Sequence, residues 1–375
     1  MSEDQTQDLR DFVDKVSEKS HLRVESDLGD GYFRLRASEA QRRQAQQDIR
    51  CCEDAVIEML RNSRDAGAKN IFLATNSEEN FRHILIIDDG KGVPTSHHKT
   101  IFEPYVTSKL DTMTHDSWGV HGRGMALYSI AENADDAYVI KSDNKIGASI
   151  YAKCNTKTLG EKRDQSSFPD FYINEQSELV IRGPKNILRT ACEFAVENRG
   201  RVNVFIGSPV EIAATLYNIG LSKSDVKQIF KEPDEKTRLV DLIAYSSDVH
   251  DFKSYAKELG IYLSKRTARR IMDGDIKPQA SILERISNKG IQSKADGIDE
   301  KSPALDIFDI KRIHKAAPKR KTIKIDAEDK EQLKKAVTSC YNEFAGKYYL
   351  NKDIEPEVKS KNNKITISFE LSEIE

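Results

Sequence analysis

The sequence predicts an α+β protein: an α/β sandwich with a mixed sheet, followed by a helical domain and a small C-terminal α/β unit. Three observations predict this class. Apolar residues recur at helical spacing before residue 66, and short apolar runs typical of strands follow, such as the run at 83–88. After Pro209 the pattern is almost entirely helical up to Ile286, and an alternating run near Ile367 then indicates a further strand.

Composition limits the classes to which the chain can belong. It has 375 residues, enough for two or three domains, and its 32% charged and 38% hydrophobic residues are typical of a soluble globular protein. The net charge of -2 gives no overall basic character, so any nucleic-acid contact needs a local patch. We expect neither a secretory signal, because residues 1–10 are polar and acidic, nor a membrane span, because no apolar run approaches about 18 residues. Five cysteines without a C-x-x-C pair argue against a zinc site or a disulfide framework and favour a reduced, cytoplasmic chain.

Residues 1–208 are expected to form one domain with an N-terminal extension. Its first element is a long helix at 38–66, whose stripe of apolar residues contains Ile49, Cys52, Val56, Met59 and Leu60. The other predicted elements are strands at 71–74 and 83–88, an irregular, mobile loop at 93–118, a helix at 124–133, strands at 138–141 and 148–153, a polar connection at 157–167, a strand at 179–182, a helix at 186–197 and a strand at 202–206.

Three further segments are expected beyond residue 208. Residues 209–290 form a helical domain with breaks at Gly220, Pro233, Gly260 and Gly274. Residues 291–321 form a linker with a basic run, made up of Lys311, Arg312, Lys315, Lys319, Arg320 and Lys321. Residues 322–375 contain a helix that Asp326 can cap and a half-buried strand with Ile365, Ile367, Phe369 and Leu371 on one face.

The polar face of the first helix carries the first candidate site. At about 100° per residue, Asn62 falls about 40° and Asp65 about -20° from Glu58, opposite the apolar stripe. A solvated charged face is the ordinary interpretation of such a pattern. The functional interpretation is that Asn62 binds Mg²⁺ through its amide oxygen beside a triphosphate, and that a carboxylate one turn away orients or deprotonates water.

Two glycine-containing segments follow. Asp88 ends an apolar strand and precedes Gly90 and Gly92; its carboxylate can accept the exocyclic amine of adenine, and the glycines allow the backbone to approach the base. A plain turn is the alternative. Gly119, Gly122 and Gly124 precede the helix at 124–133, where backbone N–H groups and the helix dipole favour an anion such as phosphate.

Taken together, these segments resemble the GHKL ATPases, the group with the Bergerat fold that includes gyrase, heat-shock chaperones, histidine kinases, MutL and topoisomerase VI B. The sequence N-S-R-D-A-G-A at 62–68 is similar to the N-S-x-D-A-G-A of MutL and topoisomerase VI B, T-S-K at 107–109 to the T-S-K of the ATP lid of MutL, and G-R-G-M-A-L-Y-S-I at 122–130 to a third MutL motif. The resemblance covers about 47–153. It implies a domain that binds ATP, acts as an ATPase and dimerises when ATP is bound.

The resemblance also implies roles for individual residues. Glu58 would be the general base, Asn62 the Mg²⁺ ligand and Asp88 the adenine partner, while Asp65 would support the pocket. The residues expected to contact the nucleotide are Asn62, Asp65, Asp88, Gly90, Gly92, Thr107, Lys109, Gly119, Gly122, Arg123 and Gly124. Met125 replaces a glutamate of the MutL motif, and the lysine that the family's transducer domain contributes to the γ-phosphate is not identified.

The output of such a switch is left open by the sequence. Residues 255–261 and 267–274 are similar to the two helices of a helix-turn-helix, although their spacing is about two residues longer than usual, and ordinary packed helices are the alternative. The candidate DNA contacts are Lys265, Arg266, Arg269 and Arg270. The first hypothesis is therefore an ATP-gated dimer that acts on DNA, with a partner subunit if covalent DNA chemistry is required.

Two alternatives to a DNA-acting switch are considered. The second hypothesis is a chaperone-like adaptor that clamps protein partners. A histidine kinase is the third, because I-F-E-P-Y at 101–105 is similar to a histidine-kinase motif; however, His21 is the only histidine upstream of the ATP motifs, and its surroundings do not predict a long coiled coil.

Overall fold

The structure is a computed structural model that describes residues 24–36, 48–108, 114–116, 119–121, 124–174, 178–223, 232–293, 312–313, 327–348, 351, 356–361 and 364–368. Its elements, in chain order, are β1 (Val24–Gly29), β2 (Tyr32–Leu35), α1 (Cys52–Asp65), β3 (Asn70–Glu78), β4 (Phe81–Asp88), β5 (Val106–Thr107), β6 (Thr114–Asp116), β7 (Gly119–His121), α2 (Ala126–Asn133), β8 (Asp136–Asp143), β9 (Gly147–Asn155), β10 (Asp170–Ile173), β11 (Glu178–Arg182), α3 (Ile187–Glu197), β12 (Asn203–Gly207), α4 (Pro209–Lys223), α5 (Val249–Glu258), α6 (Lys265–Met272), α7 (Ile282–Lys289), β13 (Gln292–Ser293), β14 (Arg312–Ile313), α8 (Ala327–Tyr348), β15 (Glu357–Lys361) and β16 (Lys364–Ser368). Short 3₁₀ turns lie at Thr95–His97, Thr100–Phe102 and Leu239–Tyr245.

A mixed five-stranded sheet organises the larger of two compact units, Met1–His314. Its strand order is β12-β3-β4-β9-β8, in which β12 and β3 are parallel and the other neighbours are antiparallel. The mixed sheet and the helices confirm the predicted α+β class, and the architecture is consistent with a GHKL ATPase fold.

Helices cover one face of this sheet and form the first hydrophobic core. In β4, Ile84 and Ile86 point to that face, where residues of α1, α2, α3 and α7 pack against them. Helix α3 starts where the side chain of Asn186 accepts a 2.8 Å hydrogen bond from the Arg189 N–H, a typical N-cap.

The helical segment after Pro209 covers the opposite face of the same sheet. There, Leu85 and Ile87 of β4 belong to a second core with residues of α4, α5 and α6. The Ser149 hydroxyl of β9 donates a 2.8 Å hydrogen bond to the Leu259 carbonyl, which ties the segment to the sheet. The stretch that the sequence predicted as a helical domain is thus divided between the two faces, since α7 packs in the first core and α4 to α6 in the second.

Two smaller sheets flank the central one within this unit. The β1–β2 hairpin extends to β5, so the N-terminal strands pair with the segment that carries Thr107. A second sheet has the order β13-β10-β11-β14, and β14 falls inside the predicted 291–321 linker. Of the basic run in this linker, the structure describes Arg312 alone.

The second compact unit, Lys315–Glu375, contains α8 and the antiparallel pair β15–β16. The predicted helix and the strand bearing Ile365 and Ile367 are confirmed. The predicted cap Asp326, together with Phe369 and Leu371, lies outside the described residues.

Three sequence-based boundaries are corrected by the structure. The long helix predicted at 38–66 begins only at Cys52, because residues 48–51 are not helical, and 37–47 lie outside the described residues. Gly220 does not break a helix: α4 runs through it, and a Cβ there would lie 2.4 Å from the Ala244 Cβ, so close packing explains this glycine. The described part of 93–118 contains two 3₁₀ turns and two strands rather than an irregular loop.

In the described residues, no helix is long and apolar enough to cross a membrane.

Candidate functional site

A cleft lies between α1, the end of β4, strand β5 and the start of α2. Glu58, Asn62 and Asp65 of α1 all line it, together with Asp88 at the end of β4. The helix presents this face because Cys52, Val56, Met59 and Leu60 on its other side are buried in the first core. The structure thus brings together the polar residues that the sequence placed on one helix face and the aspartate that it placed at a strand end.

Glu58 is held by a neighbour on its own helix. The Arg61 guanidinium, which is almost completely buried, donates to the Glu58 carboxylate in an i,i+3 ion pair. Because the guanidinium is buried, its ion pair with Glu58 restrains the direction of the carboxylate. Asp65 accepts a 2.9 Å hydrogen bond from Arg64 Nε and is positioned in a similar way.

Asp88 is 2% exposed and well supplied with donors. The Ser63 hydroxyl donates to one carboxylate oxygen at 2.7 Å, and the Gly90 N–H donates to the other at 2.9 Å. Burial nevertheless raises the pKa of Asp88 to about 6, and the hydrogen bonds from Ser63 and Gly90 only partly oppose it. At neutral pH the group is therefore an ionised acceptor facing the cleft.

The glycines beside Asp88 are required by close backbone contacts. Gly92 has φ +73°, and a Cβ there would lie 1.9 Å from the Asp143 carbonyl oxygen. Gly90 does not line the cleft in the described structure; its N–H instead fixes the Asp88 carboxylate. Of the two glycines, only Gly92 therefore lies at the cleft, next to Asp88.

The opposite wall is formed by β5 and the N-terminus of α2. Thr107 and Gly124 line the cleft there, and Gly124, at φ +67°, approaches the Val106 carbonyl so closely that a Cβ would lie 2.5 Å from it. Helix α2 has no side-chain cap at Met125, and Ala126 and Leu127 of its first turn line the cleft. Such an end favours an anion.

The remaining predicted nucleotide contacts are placed less favourably or not described. Gly119 lies in β7, paired with Asp116, and is not among the residues that line the cleft. Lys109, Gly122 and Arg123 lie outside the described residues.

The residues of the cleft can be compared with what a magnesium nucleotide requires. The Asn62 amide nitrogen is buried without a partner in the described structure, so this donor is available to an acceptor such as a phosphate oxygen, while a metal would use the amide oxygen. The described residues contain no cluster of three or more His, Cys, Asp or Glu side chains that could hold a metal. Mg²⁺ is commonly bound by one or two protein oxygens and substrate phosphates, and that pattern matches this cleft.

Several side chains of the cleft were not predicted from the sequence, among them Tyr32, Arg61, Ser63, Lys91 and Ser108. Arg61 and Ser63 lie within the α1 motif, and the i,i+3 spacing of Glu58 and Arg61 was a usable signal. Lys91 Nζ donates a 3.1 Å hydrogen bond to the Ser108 hydroxyl across the cleft, and both residues line it. Pairing of distant segments brings Lys91 and Ser108 together, so no local pattern could have shown this contact.

The candidate DNA contacts lie on α6, a helix of the second core. Ala268 and Ile271 are buried against the sheet, so the other side of α6 faces solvent and carries Lys265, Arg266, Arg269 and Arg270, all exposed. Arg270 lies 3.7 Å from the Asp275 carboxylate, and Tyr262, just before the helix, is 76% exposed. Helices α5 and α6 are joined by residues 259–264, so the longer connection seen in the sequence is present, and the helix-turn-helix stays a prediction.

Comparison with known proteins supports this site. Residues 49–165 match the family model described as histidine kinase-, DNA gyrase B-, and HSP90-like ATPase. A DNA mismatch repair protein MutL of Clostridium beijerinckii is 25% identical over 256 residues, which is 68% of this chain and 31% of the relative. MutL of Clostridium perfringens is 28% identical over 201 residues, and MutL of Thermus thermophilus is 35% identical over 85 residues. The chain spans about a third or less of the length of these relatives, 31%, 24% and 15% respectively. The predicted resemblance to GHKL ATPases, with MutL among the most similar proteins, is confirmed.

Proposed function

We propose that this chain, whose residues 49–165 match the histidine kinase-, gyrase B- and HSP90-like ATPases, is an ATP-binding and ATP-hydrolysing switch that dimerises on nucleotide binding and acts on DNA. The observation that carries the proposal is the meeting of Glu58, Asn62 and Asp88 in one cleft. A cytoplasmic location is part of the same proposal.

Recognition of the nucleotide depends on the buried end of β4. The ionised Asp88 carboxylate accepts the exocyclic amine of adenine, while the hydrogen bonds from Ser63 and Gly90 hold its oxygens in place. Gly92 lines the cleft beside Asp88 and presents backbone without a side chain there, which suits a close contact with the base. Gly124 and the uncapped N-terminus of α2 contact phosphate. The segment 93–118 is the proposed lid, and when it closes, phosphate contacts are also proposed for Lys109, Gly119, Gly122 and Arg123.

Hydrolysis is assigned to the polar face of α1. Water takes the γ-phosphoryl group of ATP and ADP leaves. Asn62 would hold Mg²⁺ through its amide oxygen, and the ion would neutralise charge on the phosphates. Glu58 orients the attacking water and accepts its proton, a role that needs a carboxylate fixed in direction. Arg61 supplies that fixation through its ion pair with Glu58.

We assign the output of the switch to helices α4 to α6, which we call the helical layer. Helices α4 to α6 share a core with the sheet that floors the cleft, so a change in lid and sheet can reach the basic face of α6 through packed side chains. Lys265, Arg266 and Arg269 are suited to phosphate contacts. The MutL relatives are named for DNA mismatch repair, which favours DNA over a protein target for this chain.

One experiment tests the core of the proposal. The mass of the chain in solution is measured by light scattering with and without a non-hydrolysable ATP analogue and Mg²⁺, for the wild type and Asp88→Asn. Wild type should double in mass with the analogue and Asp88→Asn should not. A wild-type chain that neither binds the analogue nor changes in mass contradicts the proposal. Nucleotide-dependent dimerisation without any DNA binding at low salt would support the protein-clamping adaptor instead.

A further inference from the structure

The β1–β2 hairpin extends the segment that carries the T-S-K motif. Phe33 of β2 pairs with Thr107 and Arg34 pairs with Val106, and the Leu35 N–H donates a 2.9 Å hydrogen bond to the Tyr105 carbonyl. Tyr105 in turn donates from its N–H to the Gly124 carbonyl at 3.0 Å. The hairpin, β5 and the start of α2 are therefore linked by backbone hydrogen bonds into one wall of the cleft.

Tyr32 reaches the cleft from this hairpin. It is 7% exposed and lines the same space as Glu58 and Asp88. Its ring lies 4.5 Å, between centroids, from the ring of His97, and the other contacts of its cluster are with Ile101 and Val106. Because these neighbours restrict the Tyr32 side chain, it loses little conformational entropy when a ligand binds.

The hydroxyl of Tyr32 belongs to a chain of polar contacts along the edge of the cleft. The Ser108 side chain lies close to it, and Ser108 accepts a hydrogen bond from Lys91 Nζ at 3.1 Å. Lys91 follows Gly90 in the glycine segment next to Asp88, so the chain joins the two walls between which the nucleotide is proposed to bind.

A second contact, a partly exposed ion pair, joins the hairpin to the lid. Arg34 and Glu103 form an ion pair between β2 and the turn that precedes β5, and both side chains are partly exposed. The hairpin at 24–35 lies outside residues 49–165, so the family match does not account for this arrangement.

We propose that the β1–β2 hairpin is a working part of the nucleotide lid and that Tyr32 contacts the bound nucleotide. The inference rests on the proposed function, because it takes ATP as the occupant of the cleft. Pairing of the hairpin with β5 positions Tyr32. The contacts among Lys91, Ser108 and Tyr32 define the edge at which the cleft closes.

The first test measures affinity for a non-hydrolysable ATP analogue by calorimetry. Tyr32→Phe keeps the ring stacked on His97 and removes only the hydroxyl, so affinity should fall about 2- to 10-fold, the effect of one hydrogen bond. Tyr138→Phe, at a half-exposed tyrosine of β8, is the matched control and should bind like wild type. If Tyr32→Phe also binds like wild type, the contact through the hydroxyl is wrong.

The second test keeps the cleft unchanged and perturbs only the docking of the hairpin. Arg34→Glu places two carboxylates against each other and should weaken analogue binding at least threefold. The double variant Arg34→Glu, Glu103→Arg restores opposite charges and should recover most of the loss. The exchange of Lys141 and Glu258, an ion pair between β8 and α5, is the control and should leave affinity unchanged.

Failure of this inference can be told from failure of the proposed function. If wild type binds the analogue, Asp88→Asn does not, and neither Tyr32→Phe nor Arg34→Glu changes affinity, the hairpin is not part of the lid although the ATP site stands. If wild type does not bind the analogue, the proposed function fails and the hairpin inference falls with it.

Discussion

The Ser63 hydroxyl on α1 donates a 2.7 Å hydrogen bond to the buried carboxylate of Asp88 at the end of β4. This contact joins the helix that carries Glu58 and Asn62 to the strand end assigned to adenine. The two residues are 25 positions apart, and the sheet brings them together. In the proposed function, this buried hydrogen bond connects the carboxylate assigned to the base with the helix face assigned to catalysis.

Asp88→Asn should weaken ATP binding at least tenfold, because an amide gives adenine a weaker acceptor and one of its ends is a donor. The folded protein should not be destabilised at pH 8, because the change removes a buried charge. Titration calorimetry with an ATP analogue and thermal denaturation of the same samples measure the two effects. Undiminished affinity would sink the adenine assignment, and a large loss of melting temperature would show that the change acts through the fold.

The raised pKa of Asp88 predicts a pH dependence with opposite signs for stability and for binding. The folded carboxyl, at about 6, holds its proton at pH values where the unfolded one, near 3.8, has released it. This group therefore contributes stability that grows as pH falls from 7 toward 4, by about 3 kcal/mol for a shift of this size. ATP affinity should fall over the same range, because the protonated carboxyl is a weaker acceptor.

The stability effect is isolated by comparison with a variant. Urea unfolding of wild type and Asp88→Asn is measured at pH 4, 5, 6 and 7. As pH falls, the free energy of unfolding of wild type should increase relative to that of the variant. The assignment of this titration to Asp88 is contradicted by a difference that stays constant with pH.

Glu58→Gln should keep ATP binding within about threefold and reduce turnover by about 10²- to 10⁴-fold, the usual contribution of a general base. Glutamine preserves an acceptor for the buried Arg61, whereas Glu58→Ala removes the ion pair from this buried guanidinium and should also lower the melting temperature. Phosphate release and analogue binding are measured on both variants. Unchanged turnover in Glu58→Gln would remove Glu58 from the catalytic role.

Gly92→Ala should be far more destabilising than Gly274→Ala, although the two glycines have similar backbone angles, φ +73° and +79°. A Cβ at Gly274 meets nothing within 4 Å, so that change costs only the left-handed strain of about 1–2 kcal/mol. At Gly92 the Cβ would lie 1.9 Å from a backbone oxygen, which requires the backbone to move. Denaturant unfolding compares them, and equal losses would show that close approach is not the reason for Gly92.

The basic face of α6 can be tested by charge reversal. The double variant Arg266→Glu, Arg269→Glu should strongly lower DNA affinity at low salt. It should also reduce the slope of log K against log salt by the equivalent of about two phosphate contacts. Arg182→Glu with Lys185→Glu, at exposed positions next to α3, is the control with an equal charge change. Gel-shift assays over a salt series measure both. If the two double variants lose affinity equally, net charge and not the α6 face is responsible.

Much of the site was predictable because its residues are close in sequence. Helical geometry alone places Glu58, Asn62 and Asp65 on one face, and the structure puts all three in the cleft. The end of β4 at Asp88 was equally readable, because a strand of apolar residues ends where a carboxylate and glycines begin. The i,i+3 spacing of Glu58 and Arg61 could have predicted their ion pair in the same way.

The helical layer marks the limit of what local patterns predict. The consecutive apolar residues from Ile84 to Ile87 are typical of a strand buried on both faces, yet the segment that covers the second face lies more than a hundred residues later. Amphipathic helices after Pro209 predict that they bury one side, but their partner is not encoded in their own spacing. Only packing decides that they lie on the sheet.

The sequence by itself predicted a domain that resembles the GHKL ATPases and the face of α1 that lines its cleft, because motifs and helical periodicity depend on local spacing. The tertiary structure decided what surrounds that face. It set Ser63 against Asp88, brought Tyr32 and β5 to the other wall, and placed α6 so that its basic residues face solvent. These are contacts between segments distant in the chain, and their free energy comes from burying surfaces against each other, which no local pattern specifies.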